Sequence, residues 1–181
     1  MTIVQREHKI LREIAKPIPI NKIKSKEIGA IIEKMKTLMH TEDDAVAIAA
    51  PQIGESLRMF IVSGKVFAVE KLNEKDHEEA LKAPLPPDQV FINPEIIRRS
   101  KKDKTLEEGC LSVRWLYGLV RRAEKVTIRA HDEKGKLITR GASGLLAQVF
   151  QHETDHLNGI LFTDKAKNIK EIPPQNLHNQ G

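Results

Sequence analysis

A helix that has to lie inside the protein constrains this chain more than any other stretch. From Ser143 or Gly144 onward, Leu145, Leu146, Val149, Phe150 and Leu157 are spread almost all round a helical wheel, leaving no face for solvent. Gly159 stands where a helix C-terminus is often closed. The same segment reads Gln151-His152-Glu153-Thr154-Asp155-His156-Leu157-Asn158-Gly159. His152 and His156 lie one helical turn apart, so both imidazoles can reach one metal ion. Glu153 projects beside them, placed to handle the proton of a bound water. Two imidazoles and a carboxylate inside a core are costly unless paired or ligated. A satisfied pair of core histidines is the competing reading.

A catalytic metal site takes three protein ligands and keeps one position open. The chain has a single cysteine, Cys110, which excludes an intramolecular disulfide. Thiolate with two imidazoles suits iron(II) or zinc, and Gly109 beside it permits a sharp turn close to an ion. A lone cysteine is more commonly a small buried hydrophobe. If a third ligand lies elsewhere, as in a metallopeptidase, Cys110 is a bystander.

The rest of the chain has to wrap this helix. Ser25 is placed to cap a helix running to about His40, with Ile28, Ile31, Ile32, Met35, Leu38 and Met39 along its apolar stripe. Ala45 to Gly54 is an apolar loop of small residues with one amide, Gln52, suited to a ligand or to a buried turn. Strands are expected at Met59–Val62, at Val90–Asn93 and Glu95–Arg98 (broken at Pro94), and at Leu119–Arg121. Lys125–His131 and Lys136–Arg140 should pair across a turn at Asp132–Gly135. Residues 1–23 read as an irregular arm, and residues 64–89 as a polar excursion with a short helix around Lys75 to Leu81. The order implies an α+β fold, antiparallel β-sheets wrapped around a central buried helix, plus an N-terminal helix. We expect one domain, residues 1–165, and a polar, flexible tail, 166–181, in which Pro173 and Pro174 stop any helix.

Composition narrows the function classes. With 181 residues the chain can bury one proper core. No apolar run approaches the roughly 20 residues that span a membrane, and the N-terminus lacks a signal core, so a soluble cytoplasmic protein is expected. Net charge is +5, yet both signs are interspersed and aromatics make up only 4%, which argues against a specific nucleic-acid partner. Lys101-Lys102-Asp103-Lys104 is a solvated turn on this reading.

Three stretches, in order, resemble the signature motifs of peptide deformylases: Ala45 to Gln52, Glu108 to Ser112 (E-G-C-L-S), and Gln151 to His156 (Q-H-E-x-D-H). Arg122-Ala123-Glu124-Lys125-Val126 also looks like that family, and the resemblance covers roughly residues 1–165. It implies a metal-dependent hydrolase of protein biosynthesis that removes the N-formyl group from the formyl-methionine of nascent polypeptides and releases formate. By position, Cys110, His152 and His156 would hold one divalent ion: iron(II) in the cell, with zinc, nickel or cobalt in purified protein. Glu153 would be the general acid/base. The backbone N–H of Leu111 and the side chain of Gln52 would stabilise the oxyanion. Asp155 would pair with Arg122. Val46, Ala47, Ile48, Leu106, Leu145 and Val149 would line the methionine pocket, with Glu108, Gly109 and Gln148 also in contact with substrate. The implied partners are the formyl-methionyl nascent peptide and, transiently, the ribosome. No membrane is implied, and the protein would be a monomer.

The chain departs from the family in the first motif, where Ala45 and Ala47 replace glycines. A position needing φ > 0 would cost alanine about 1 kcal/mol. The Ala47 methyl would also intrude on the substrate backbone, giving working but altered binding. Gln148 would make the pocket more polar, Arg114 replaces a proline, and Trp115 and Tyr117 would form an aromatic rim. The prolines in the tail speak against a basic C-terminal helix that docks on the ribosome. A catalytically impaired relative that binds N-terminal peptides is the alternative, opposed by intact Cys110, His152, Glu153 and His156.

Overall fold

The computed structural model describes residues 2–70 and 84–173. The helix expected around Lys75 to Leu81 and the tail beyond residue 173 lie outside the described residues.

Helix α1 spans Lys26–His40 and begins where Ser25 accepts a hydrogen bond from the Ile28 N–H, satisfying one of the free donors of the first turn. Its buried face is Ile28, Ile32, Met35 and Met39. That face covers one side of a five-stranded antiparallel sheet, ordered β1 (Ala47–Ala49), β2 (Met59–Val62), β3 (Gln89–Arg99), β6 (Lys125–His131), β7 (Leu137–Ser143). Met59 and Ile61 pack toward α1, while Phe60 and Val62 pack into the core on the opposite side. Burial on both faces explains why β2 reads as an unbroken apolar run.

The opposite face carries the predicted buried helix, which runs from Gly144 to Leu157. It follows a short helix α2 (Gly64–Glu70) in the chain and is labelled α3. Phe150 of α3 meets Phe91 edge-on at 4.9 Å between ring centroids, and Phe91 stacks on Phe60 at 5.1 Å, so a chain of aromatic contacts fixes the helix on the sheet. A three-stranded antiparallel sheet, β4 (Asp103–Cys110), β5 (Val113–Ala123) and β8 (Lys167–Glu171), closes over α3. The architecture is the expected α+β arrangement of antiparallel sheets about a central helix.

Three local expectations are corrected. Pro94 does not break β3. The register shifts between Ile92 and Glu95, Asn93 takes φ 51°, and the strand continues through a bulge where proline's missing donor is tolerated. The Asn93 side chain uses this conformation to hold both the N–H and the C=O of Ile18, at 2.8 and 2.7 Å. Lys167–Glu171, expected to fray, forms β8 instead. Gly118 makes room for it, since a Cβ there would lie 2.9 Å from the Ala166 Cβ. The Ala45–Gly54 segment is ordered as β1 and a 3-10 turn, Ala50–Ile53, closed by Gly54 at φ 82°. Neither Ala45 nor Ala47 has positive φ, so the condition under which alanine would cost stability there is not met.

Candidate metal centre

The site lies on the seam between the two sheets. Helix α3 presents His152, Glu153 and His156, and Cys110 enters as the last residue of β4. Ligand atoms of Cys110, His152 and His156 all lie within 4.8 Å of one another, with Cys110 Sγ 3.2 Å from His156 Nε2. The Nδ1 of His152 donates to Glu108 Oε2 at 2.9 Å, which fixes the tautomer and leaves Nε2 free for an ion.

Glu108 is the hinge of a buried charge network. It accepts two hydrogen bonds of 2.8 Å from Arg122, whose Nη1 reaches Asp155 Oδ2 at 2.5 Å. Asp155 also takes Lys165 Nζ at 2.6 and 2.7 Å. The predicted pairing of Asp155 with Arg122 is thus one link in a chain running from Lys165 to His152. Sequence reasoning did not find Glu108 as the bridge or Lys165 as the second cation. A signal existed for the first: strand alternation puts Glu108 on the same face as Cys110, two residues on. We expect Arg122→Met to cost about 3–5 kcal/mol, because buried Glu108 loses its guanidinium and Asp155 is left with Lys165 alone. A thermal unfolding midpoint within a few degrees of the parent would refute this.

The electrostatics follow from burial and these contacts. Burial would raise the Cys110 thiol, but the imidazoles of His156 and His152 outweigh it and bring it to about 5. Burial likewise opposes ionisation of Glu108, yet hydrogen bonds from Arg122 and His152 hold it at about 2. Burial lowers His152, but its bonds to Cys110 and Glu108 raise it well above its ordinary value. Glu153 goes the other way: burial raises it above the usual carboxylate range, against the pull of His152 and His156. Its Oε2 is buried without a hydrogen-bond partner among the described residues.

A cavity of about 330 Å³ opens over Cys110, His152 and Glu153. Val46, Ala47, Gln52, Gly109, Leu111, Leu145, Gln148 and Val149 border it. The Gln52 Oε1 accepts the Ala49 N–H at 2.8 Å, so its amide nitrogen faces the site, 3.6 Å from Cys110 Sγ and 3.3 Å from Ser112 Oγ. Gln148 is tied to β4, donating to the Glu107 carbonyl at 2.9 Å. Gly109 has no room for a side chain, because a Cβ would lie 2.8 Å from the ring of Tyr117. Trp115 and Tyr117 do border the mouth, where Arg114 reaches across to Glu42 and Asp44.

Two expected pocket residues are elsewhere. Ile48 is fully buried in the core on the α1 side of the sheet. Leu106 lies one residue beyond the stretch of β4, Glu107 to Cys110, that borders the cavity. Glu108 borders it too, but both its oxygens are already engaged by Arg122 and His152, which leaves little for substrate. Ala47 does border the cavity. We expect Ala47→Gly to change KM for formyl-Met-Ala-Ser by about 2–5-fold, equivalent to roughly 0.5–1 kcal/mol of contact. An unchanged KM would show that the methyl is irrelevant.

Two helix-borne imidazoles and a buried carboxylate, gathered with a cysteine thiol at the floor of a cavity, are the arrangement of a metal-dependent hydrolase. A model of the polypeptide deformylase family matches residues 1–171. A peptide deformylase of Carboxydothermus hydrogenoformans is 41% identical over 167 residues, covering 92% of this chain and 93% of the relative. That of Halothermothrix orenii is 40% identical, covering 90% of each. Among solved structures, a Met-Ala-Ser-bound class I type b peptide deformylase from Acinetobacter baumannii superposes with a TM-score of 0.76 at 34% identity, covering 91% of this chain and 97% of that one. The chain belongs to the polypeptide deformylase family. It is a hydrolase that removes the formyl group from the N-terminal formyl-methionine of new polypeptides. Among the described residues, no helix is long and apolar enough to cross a membrane.

Proposed function

We propose that Cys110, His152 and His156 hold the metal of this reaction, iron(II) in the cell, and that Glu153 moves the protons. One observation carries this reading: a thiol and two imidazoles converge within 4.8 Å beside a buried carboxylate oxygen that has no hydrogen-bond partner among the described residues. A soft thiolate with two imidazoles fits iron(II) and also zinc, and the Glu108 contact to His152 is the outer support such ligands need. When bound, the ion acidifies water and neutralises charge at the reacting carbonyl.

The remaining chemistry belongs to the chain. Glu153 takes the proton of the attacking water and passes it to the departing amine as the formyl C–N bond breaks, leaving formate and a free N-terminus. The Gln52 amide and the Leu111 N–H donate to the oxyanion, each worth about 3 kcal/mol of barrier. Val46, Leu145 and Val149 enclose the methionine side chain, with Ala47, Gly109 and Gln148 alongside the peptide. The Met-Ala-Ser-bound relative supports a peptide lying in this cavity. The enzyme works as a monomer in the cytoplasm, on chains presented by the ribosome.

Anaerobically purified protein should carry about one ion per chain and release formate from formyl-Met-Ala-Ser. Bound metal without formate release would overturn the reading. A higher turnover with zinc than with iron(II) would overturn the metal assignment alone.

A further inference from the structure

We propose that the N-terminal arm, Ile3 to Gln5, is a brace that sets the two oxyanion donors relative to one another, with Gln5 as a positioning residue. The inference rests on the reading of Gln52 and Leu111 as those donors. They come from different sheets: Gln52 from the 3-10 turn that follows β1, and Leu111 from the turn between β4 and β5. Their side-chain link, Gln52 Nε2 to Ser112 Oγ, draws on the same amide nitrogen that would serve the substrate.

The arm supplies an independent tie. The Val4 N–H donates to the Gln52 carbonyl at 2.9 Å, and Gln5 Nε2 donates to the Leu111 carbonyl at 3.2 Å. Two successive residues thus hold the backbones of both donor segments by their oxygens. The arm is itself anchored on both sides of the seam. Ile3 packs against the core that contains Ile53 and Leu111, and Val4 against the core that contains Val113, Val120 and Phe162. The second N–H of the Gln5 amide is also used, donating to the Ile3 carbonyl at 3.2 Å, so the amide is oriented before it reaches Leu111. The position therefore calls for a flexible side chain that ends in at least two donors. Gln5 is otherwise exposed and contributes no core packing.

Displacement of a catalytic group by about 1 Å can cost 10²-fold, and the loss of one of two ties should cost part of that. With formyl-Met-Ala-Ser, Gln5→Met, which has the same length and no donor, should lower kcat by about 5–20-fold. KM should stay within about twofold, with metal content and unfolding midpoint at parental values. Gln5→Lys, which restores the donors, should return kcat to within about threefold of the parent. Parental kcat in Gln5→Met overturns the brace, as does a loss confined to KM. So does a fall in kcat that tracks lost metal or a lower midpoint, since the arm then only holds the fold. Gln52→Ala measured alongside separates the two levels. If it keeps parental kcat, the donor assignment fails and the brace fails with it. If it is strongly impaired while Gln5→Met is not, only the brace fails.

Discussion

Glu153→Gln should keep its fold and its metal and yet release formate about 10³-fold more slowly than the parent, a barrier increase of roughly 4 kcal/mol. The substitution preserves size and polarity on a buried helix, so packing around Leu146, Phe150 and Leu157 is undisturbed. What it removes is the carboxylate proposed to accept a proton and return it. The other carboxylate nearby, Glu108, is held ionised at about 2 by Arg122 and His152 and is poorly suited to carry a proton near neutral pH. Glu153 is raised by burial and has an oxygen with no competing hydrogen bond among the described residues, which suits both halves of a proton transfer. Formate release and metal content, measured on the same preparation, decide the matter. A rate within tenfold of the parent would move the proton-handling role elsewhere.

Cys110→Ala should lose both the ion and the activity. Removal of an outer-shell partner typically costs a metal site about 10–100-fold in affinity, and removal of a ligand should cost more. The chain has no second thiol to replace it. Alanine fits the end of β4 without disturbing the turn at Leu111 and Ser112, so the unfolding midpoint of the variant should match that of metal-free parent. Cys110 is placed to serve as a ligand. Its Sγ lies within hydrogen-bond range of His156 Nε2, and both neighbouring imidazoles favour its thiolate. A variant that keeps metal and turnover would make Cys110 a bystander and point to a third ligand that the present geometry does not contain.

The parts of this molecule legible in the sequence were those written in local periodicity or in rare residues. The apolar stripe of α1, the all-round apolar surface of α3 and the four-residue spacing of His152 and His156 each sit within a few turns of chain. Cys110 stood out because it is the only cysteine. The misreadings have a common physical origin in contacts between segments distant in sequence. Pro94 signals a strand break locally, but the partner strands tolerate a bulge there and Asn93 finds Ile18 to hold. All five residues of β8 are exposed, so no alternation of apolar and polar residues marked it, and what admits it is the absence of a side chain at Gly118, some 50 residues earlier. Ile48 was assigned to the pocket because its neighbours belong there, whereas its own side chain turns into the other core. The roles of Glu108 and Gln5 depend on partners such as Arg122, His152 and Leu111, which no local pattern reveals.

Strand β8 also bears on when the cleft comes into being. Its partner β5 carries Trp115 and Tyr117 at the cavity mouth, and the pairing extends to Leu116 with Glu171, Tyr117 with Lys170, and the Ile172 N–H on the Trp115 carbonyl. Cys110, His152, Glu153 and His156 all lie at or before residue 156, but this wall has its outer edge paired only by residues 167–172. The outer support of this wall is therefore the last part of the described chain to be synthesised. A polypeptide that stops near residue 166 would present a bare strand edge along β5 beside its active site, open to pairing with other chains.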